Sequence, residues 1–272
     1  MSARKTSSWT VFDAWTRPIR EAAPPSWQSL ENWGRLASSA ADAEESAVSA
    51  LLQAWDQKLS DLGGDPSWRP WRRFRPLRLS REEAWSDWMA HLAEDPSSSG
   101  FAYNLFPPVE TIAGAVPKSH REVVLDGGTR RADLILEWAP RSFTSVELKV
   151  WDLALGKTFE TAQLCEEWRP GSRWRHYVLL PQDSFEAWEE ELKRGGRQMV
   201  HARSWDEVAI ALRRSLWGHR GSATYLAFAL AYCGAIEQRI LGLGKVGDAV
   251  ASAAERLRVA AARRRLLQEG RE

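Results

Sequence analysis

The sequence predicts an α/β fold in which an antiparallel hairpin leads into a partly parallel sheet flanked by helices. Three observations predict it. In the middle of the 272-residue chain, short β-rich runs alternate with helical patterns, and the first of them follow the order αβββαβ. Turn residues bound the β-rich runs. Apolar residues at helical spacing continue toward both ends of the chain, which predicts helical N- and C-terminal extensions.

Composition and charge are those of an ordinary globular protein. Hydrophobic residues make up 44% of the chain and charged residues 27%, and the net charge is +1. No apolar run approaches the length of about 18 residues that a membrane span needs. Residues 1–20 do not resemble a signal peptide, and two cysteines are too few for a disulfide framework. We therefore expect a cytoplasmic protein that has no contact with a membrane.

The N-terminal extension, residues 1–78, is predicted to be helical and rich in tryptophan. Its clearest helix, residues 40–62, carries an amphipathic apolar face formed by Val48, Leu51, Leu52, Trp55 and Leu59. Glycine and proline at 63–66 end this helix.

The last part of that extension is a connector rich in arginine, proline and aromatic residues. Arginines interleaved with aromatic residues are typical of nucleic-acid grooves, which makes Arg72, Arg73 and Arg75 candidate contacts to nucleic acid. The alternative is a solvated linker whose tryptophans pack on the body of the protein.

The central segment, residues 79–216, holds the predicted core, and the C-terminal extension covers residues 217–272. A capping box from Ser80 to Glu83 begins the first helix of the core. The predicted strands cover 121–125, 132–137, 143–150, 176–180 and 198–201. The later helices cover 157–168, 183–194, 205–216, 221–241 and 246–268.

Two neighbouring strands of this core place charged side chains on one face. Glu147 and Lys149 share a face because side chains alternate along a strand. A symmetric hairpin around the turn at Pro140 sets Leu134 opposite Val146 and therefore Asp133 opposite Glu147. A slip of one residue would bury the charges, so the apolar pattern favours this register.

Two opposed carboxylates repel each other, and a divalent cation between them removes the repulsion. Oxygen ligands from few protein groups suit Mg²⁺ or Mn²⁺ better than zinc. A lysine beside the metal can orient the attacking water and stabilise charge on a phosphate. Asp133, Glu147 and Lys149 are thus the candidate catalytic residues, and the predicted reaction is phosphodiester hydrolysis.

This constellation resembles the PD-(D/E)XK, or restriction-endonuclease-like, nuclease superfamily. Asp133 is followed after thirteen residues by Glu147-Leu148-Lys149, and the likeness extends over residues 79–216. The resemblance implies an additional acidic metal ligand on the preceding helix, where Glu82 and Glu83 lie. It also implies a catalytic polar residue on the following helix, where Gln163 lies. The proline that often precedes the aspartate in this superfamily is absent.

Simpler explanations exist for several of these residues. A second Glu-x-Lys triplet, residues 191–193, lies in a predicted surface helix, so the triplet alone has little specificity. Capping alone explains Glu83, and an acidic residue such as Glu82 is ordinary in the first turn of a helix. Gln163 is equally compatible with a plain polar position on a helix.

The sequence therefore predicts a Mg²⁺- or Mn²⁺-dependent nuclease that acts on nucleic acid, with DNA favoured over RNA. By analogy with the superfamily, the nuclease fits the effector of a bacterial defence system. The terminal extensions predict a protein partner or a homo-oligomer. No nucleotide cofactor is expected, because Arg239 stands where a phosphate-binding loop needs glycine. The alternative is a catalytically silent subunit that binds nucleic acid or acts as a scaffold.

Overall fold

The computed structural model describes residues 27–68, 82–96, 100–112, 114–125, 128, 130–151, 155–195, 199–219, 221–243 and 251–272. The helices are α1 (Trp27–Lys58), α2 (Glu82–Glu94), α3 (Phe101–Leu105), α4 (Gly156–Trp168), α5 (Phe185–Gly195), α6 (Trp205–Trp217), α7 (Ala223–Arg239) and α8 (Ala253–Glu269). The strands are β1 (Lys118–Leu125), β2 (Arg130–Ala139), β3 (Ser142–Leu148), β4 (Arg173–Leu180) and β5 (Val200–Ser204).

The described strands form one mixed sheet in the order β1-β2-β3-β4-β5. β2 pairs antiparallel with β1 and with β3, whereas β3, β4 and β5 run parallel to one another. The fold is therefore mixed α/β, with a five-stranded mixed sheet flanked by helices. An antiparallel hairpin leads into the parallel part, as the sequence predicts.

Helices cover both faces of the sheet, and each face contributes buried apolar residues. One face presents Leu134, Val146 and Leu179 to the main hydrophobic core, which α2, α6 and α7 complete. The opposite face packs against α4 and α5, with Val178 and Leu180 among its buried residues. A strand covered on both sides can carry apolar residues at consecutive positions, as β4 does at Val178, Leu179 and Leu180.

Some element boundaries differ from the predicted ones. β1 begins three residues earlier than predicted, and β5 covers Val200–Ser204 instead of 198–201. The short helix α3 was not predicted, since five residues are too few to show a helical period. A capping box begins α6, in which the Ser204 hydroxyl accepts from the Glu207 amide. The predicted cap residue Ser80 lies outside the described residues.

The two terminal extensions pack against each other and join the main core. The predicted apolar face of α1 is confirmed at Val48, Leu52, Trp55 and Leu59, which are buried. The Trp55 indole donates to the backbone oxygen of Leu267 in α8 at 3.1 Å. Described parts of all three predicted segments thus contribute to one hydrophobic cluster.

The first half of α1 differs from the second half because its large apolar side chains are exposed. They are Trp27, Leu30, Trp33 and Leu36. We call these four residues the exposed apolar face of α1. Among the described helices, none is both long and apolar enough to cross a membrane.

A fully buried ionic cluster joins the N-terminal extension to the helices behind the sheet. Arg213 of α6 donates to Asp65 at 2.9 Å and to Glu237 of α7 at 2.6 and 2.9 Å. All three side chains are 0–1% exposed. The Arg213 guanidinium is paired with both carboxylates, so its charge offsets part of the free-energy cost of burying them.

We expect Arg213→Ala to lower the free energy of unfolding by about 3–5 kcal/mol, because it removes the guanidinium that is hydrogen-bonded to both buried carboxylates. Urea denaturation followed by circular dichroism measures this loss. The neighbouring exposed Arg214, which donates to the backbone oxygen of Glu269, provides the control. Arg214→Ala should cost no more than about 1 kcal/mol. Equal losses in the two variants would contradict a special contribution from Arg213.

Candidate active site

The candidate site lies where β3 ends, and the local backbone positions its two best-defined residues. Glu147 is the penultimate residue of β3, and the amide of Lys149 donates to Leu179 of β4 at 2.9 Å. The Lys149 Nζ atom lies 3.0 Å from Glu147 Oε1, and both side chains are largely buried. The prediction that Glu147 and Lys149 share one face is therefore confirmed.

Asp133 reaches the same place from β2. The pairing of Leu134 with Val146 confirms the predicted register, which sets Asp133 opposite Glu147. A carboxylate oxygen of Asp133 accepts from the Leu148 amide at 2.7 Å. The Asp133 side chain thus binds the end of β3 and comes close to Glu147.

The surroundings of Asp133 disfavour the negative charge of its carboxylate. Burial and the nearby Glu147 carboxylate raise the pKa of Asp133 to about 8. The Leu148 amide and the Lys149 ammonium act in the opposite direction and do not compensate fully. Without a cation, burial and the Glu147 charge therefore favour the protonated form of Asp133.

The donor set fits a hard divalent cation. The Oε2 atom of Glu147 is buried, and among the described residues it has no hydrogen-bond partner. Mg²⁺ is commonly held by one or two carboxylates, with water and substrate phosphate as its other ligands. Asp133 and Glu147 supply such a pair. Within the described residues, no group of three or more His, Cys, Asp or Glu side chains is placed to hold a metal.

A third carboxylate, Glu122 of β1, was missed by the sequence analysis. It lies across from Asp133, between the paired positions Arg121–Leu134 and Val123–Ala132. Its φ of +51° is unusual for a residue with a side chain. Burial raises the pKa of Glu122, and its charge in turn contributes to the raised pKa of Asp133. The symmetry of the β1–β2 hairpin could have identified it.

Glu83 lies near these carboxylates, and Arg131 lies between Glu83 and Glu122. Arg131 forms an ion pair with Glu122 and lies 3.5 Å from Glu83. The Glu83 charge also contributes to the raised pKa of Glu122. α2 begins at Glu82, whose side chain is outside the described part of the structure. The proposed metal-ligand function of both residues stays a prediction.

Gln163 and the connector arginines are less directly placed. Gln163 lies on the exposed side of α4, where its amide donates to Glu167 at 3.2 Å. Its predicted catalytic function stays a prediction. Arg72, Arg73 and Arg75 fall outside the described residues. The second Glu-x-Lys triplet lies on the helix α5, as predicted, and has no strand to oppose it.

The described geometry defines a site of two opposed carboxylates and one buried lysine at the end of a strand. Such a set can bind a divalent cation and present a positive charge to a phosphate. Comparison with protein-family models, with curated proteins and with solved structures finds no match to this chain.

We expect Asp133 to destabilise the metal-free protein progressively as the pH rises from about 4 to about 8. An aspartate carboxyl ordinarily has a pKa of 3.8, whereas the pKa of Asp133 in the folded chain is about 8. Between these values the folded state holds a proton that the unfolded state releases, so the free energy of unfolding falls with pH. Below pH 4 both states are protonated and this penalty is absent. Urea denaturation across this pH range, with a chelator present, measures the slope.

Asp133→Asn should flatten this pH dependence and stabilise the metal-free protein at pH 8 by about 1–3 kcal/mol, since it removes a poorly compensated buried charge. Asparagine can still accept from the Leu148 amide. If Mg²⁺ stabilises the wild type at pH 8, the same variant should lose that stabilisation. Asp61→Asn, at an exposed position, is the control and should behave as the wild type. A pH profile that Asp133→Asn leaves unchanged would contradict the raised pKa.

Proposed function

We propose that this chain is a Mg²⁺- or Mn²⁺-dependent nuclease of the PD-(D/E)XK type that hydrolyses phosphodiester bonds, with DNA favoured over RNA. One observation carries the proposal: Lys149 Nζ lies 3.0 Å from Glu147 Oε1. A lysine ammonium this close to the carboxylate that would bind the metal is the arrangement that the proposed reaction requires. The order of strands and helices around the site supports the same restriction-endonuclease-like core.

Each residue of the site has a defined function in this proposal. Asp133 and Glu147 hold the cation, and the Leu148 amide orients Asp133. The cation, when bound, supplies Lewis-acid polarisation of the phosphate and a lower pKa for the attacking water. Lys149 places a positive charge beside the position that the phosphate takes, where it stabilises negative charge in the transition state.

An aromatic side chain near the site supports a nucleic acid as the substrate. Trp151 follows Lys149 by two residues, and 52% of its surface is exposed. The edge-to-face contact with Trp85, at 6.4 Å between ring centroids, supports it from the protein side. Exposed aromatic rings beside a backbone-binding site are surfaces on which bases stack.

The wider setting of the enzyme is also part of the proposal. The exposed apolar face of α1 supports binding of a protein partner or a second copy of the chain. Both cysteines are free and buried, which fits a reducing cytoplasm. A nuclease under the control of a partner fits the effector of a bacterial defence system.

One observation favours a second candidate, the catalytically silent subunit. The described residues contain no group of three or more potential metal ligands. A chain that kept the fold while its site lost affinity for metal would bind nucleic acid or scaffold a complex without cleaving anything. Direct measurement of cleavage separates the two candidates.

We expect purified protein with Mg²⁺ or Mn²⁺ to cleave nucleic acid, and Lys149→Ala to lower the rate on the order of 10²–10³-fold, because transition-state charge is no longer compensated. Plasmid, linear duplex, single-stranded DNA and RNA are compared in parallel with labelled substrates. The result identifies the substrate class together with the function of Lys149.

Lys193→Ala is the matched control, because Lys193 belongs to the second Glu-x-Lys triplet and lies exposed on α5. It should cleave at the wild-type rate. Circular dichroism must show that both variants are folded. Cleavage by Lys149→Ala at the wild-type rate would contradict the assignment of the site. The absence of cleavage by any variant on all four substrates would favour the silent subunit.

A further inference from the structure

A small cavity lies between α4 and the sheet, on the face that carries Glu147. Its volume of about 10 Å³ is close to the space that a single water molecule requires. Polar side chains form much of its wall: Ser145, Glu147, Thr158, Thr161 and His176. A cavity with so polar a lining differs from the dry apolar voids of protein cores.

Two atoms at this cavity have no hydrogen-bond partner among the described residues. They are Oε2 of Glu147 and the hydroxyl oxygen of Thr158. Thr158 is only 2% exposed, so solvent outside the protein cannot reach its hydroxyl. A buried carboxylate oxygen and a buried hydroxyl that are both left unpaired destabilise the folded state. One water molecule in this cavity would satisfy both atoms.

The other polar groups of the wall already have partners. Ser145 Oγ lies 2.7 Å from His176 Nδ1, and His176 Nε2 lies 3.2 Å from Glu166. The Thr161 hydroxyl donates to the backbone oxygen of Lys157 at 3.1 Å. The unmet hydrogen bonds are therefore confined to Glu147 and Thr158.

We propose that one ordered water occupies this cavity, donates to Glu147 Oε2 and accepts from the Thr158 hydroxyl. Through this water, α4 fixes the orientation of the Glu147 carboxylate, which makes Thr158 a positioning residue for the metal site. The water follows from the cavity and the two unpaired atoms. The positioning function rests, in addition, on the proposed metal-dependent activity.

Thr158→Val tests the positioning function, since valine keeps the shape of threonine and removes its hydroxyl. Titration with Mn²⁺, followed by the electron paramagnetic resonance of the free ion, should give a Kd about 10- to 100-fold higher than in the wild type. Thr158→Ser retains the hydroxyl and should restore the wild-type Kd. Circular dichroism establishes that both variants are folded.

Thr144→Val is the matched control. Thr144 lies on the same strand as Glu147 but on its opposite face, where its hydroxyl accepts from the Trp138 indole at 2.9 Å. Its substitution also removes a buried hydroxyl and should leave the Mn²⁺ Kd unchanged. If Thr144→Val weakens Mn²⁺ binding as much as Thr158→Val does, the specific link between Thr158 and Glu147 is overturned.

A crystal structure of the metal-free wild type tests whether the water is present. Density for one water within hydrogen-bonding distance of both Glu147 Oε2 and Thr158 Oγ1 supports the proposal, whereas a dry cavity or a cation there overturns it. An unchanged Mn²⁺ Kd in Thr158→Val overturns the positioning function alone. If the wild type binds no Mn²⁺, the proposed function and the positioning function fail together, and the density still decides on the water.

Discussion

The antiparallel pairing of β2 with β3 determines which side chains meet at the end of the sheet. Leu134 pairs with Val146 on the core side, and this alignment brings Asp133 and Glu147 together on the other side. Apolar packing on the core face holds the register, because a shift of one residue would turn Asp133 and Glu147 into the main hydrophobic core. The geometry of the site is therefore stabilised by contacts that are not part of it.

The carboxylates of the candidate site repel one another, and the surrounding groups compensate only part of this repulsion. Three carboxylates, on Glu122, Asp133 and Glu147, lie along neighbouring strands, while Lys149 and the Leu148 amide offset part of their repulsion. Stability alone would favour a neutral or paired arrangement here. Proteins tolerate unfavourable local arrangements of this kind mainly where function requires them.

The sequence predicts this part of the fold well, because strand alternation and hairpin symmetry are local rules. They identified the faces of β2 and β3, their register and the proximity of Glu147 to Lys149. Glu122 was missed because the rule was applied to one hairpin only, and its positive φ has no sequence signature.

Contacts between residues that lie far apart in the chain could not be predicted from the sequence. Arg213 lies 148 residues from Asp65, and no local pattern connects them. The cavity beside Thr158 depends on how α4 is rotated against the sheet, whereas the sequence could only select a polar residue on that helix and favoured Gln163. A helical period shows which residues face inward, but it does not show which of them meets an unpaired atom on the sheet.

The packing of α1 against α8 has a consequence for how the protein is made. Trp55 and Leu267, which hydrogen-bond to each other, are 212 residues apart. At about 5–20 residues per second, a ribosome takes about 10–40 s to synthesise the chain between them. During that interval the apolar face formed by Val48, Leu52 and Trp55 has no partner from α8, so the nascent chain presents it to water or to a chaperone.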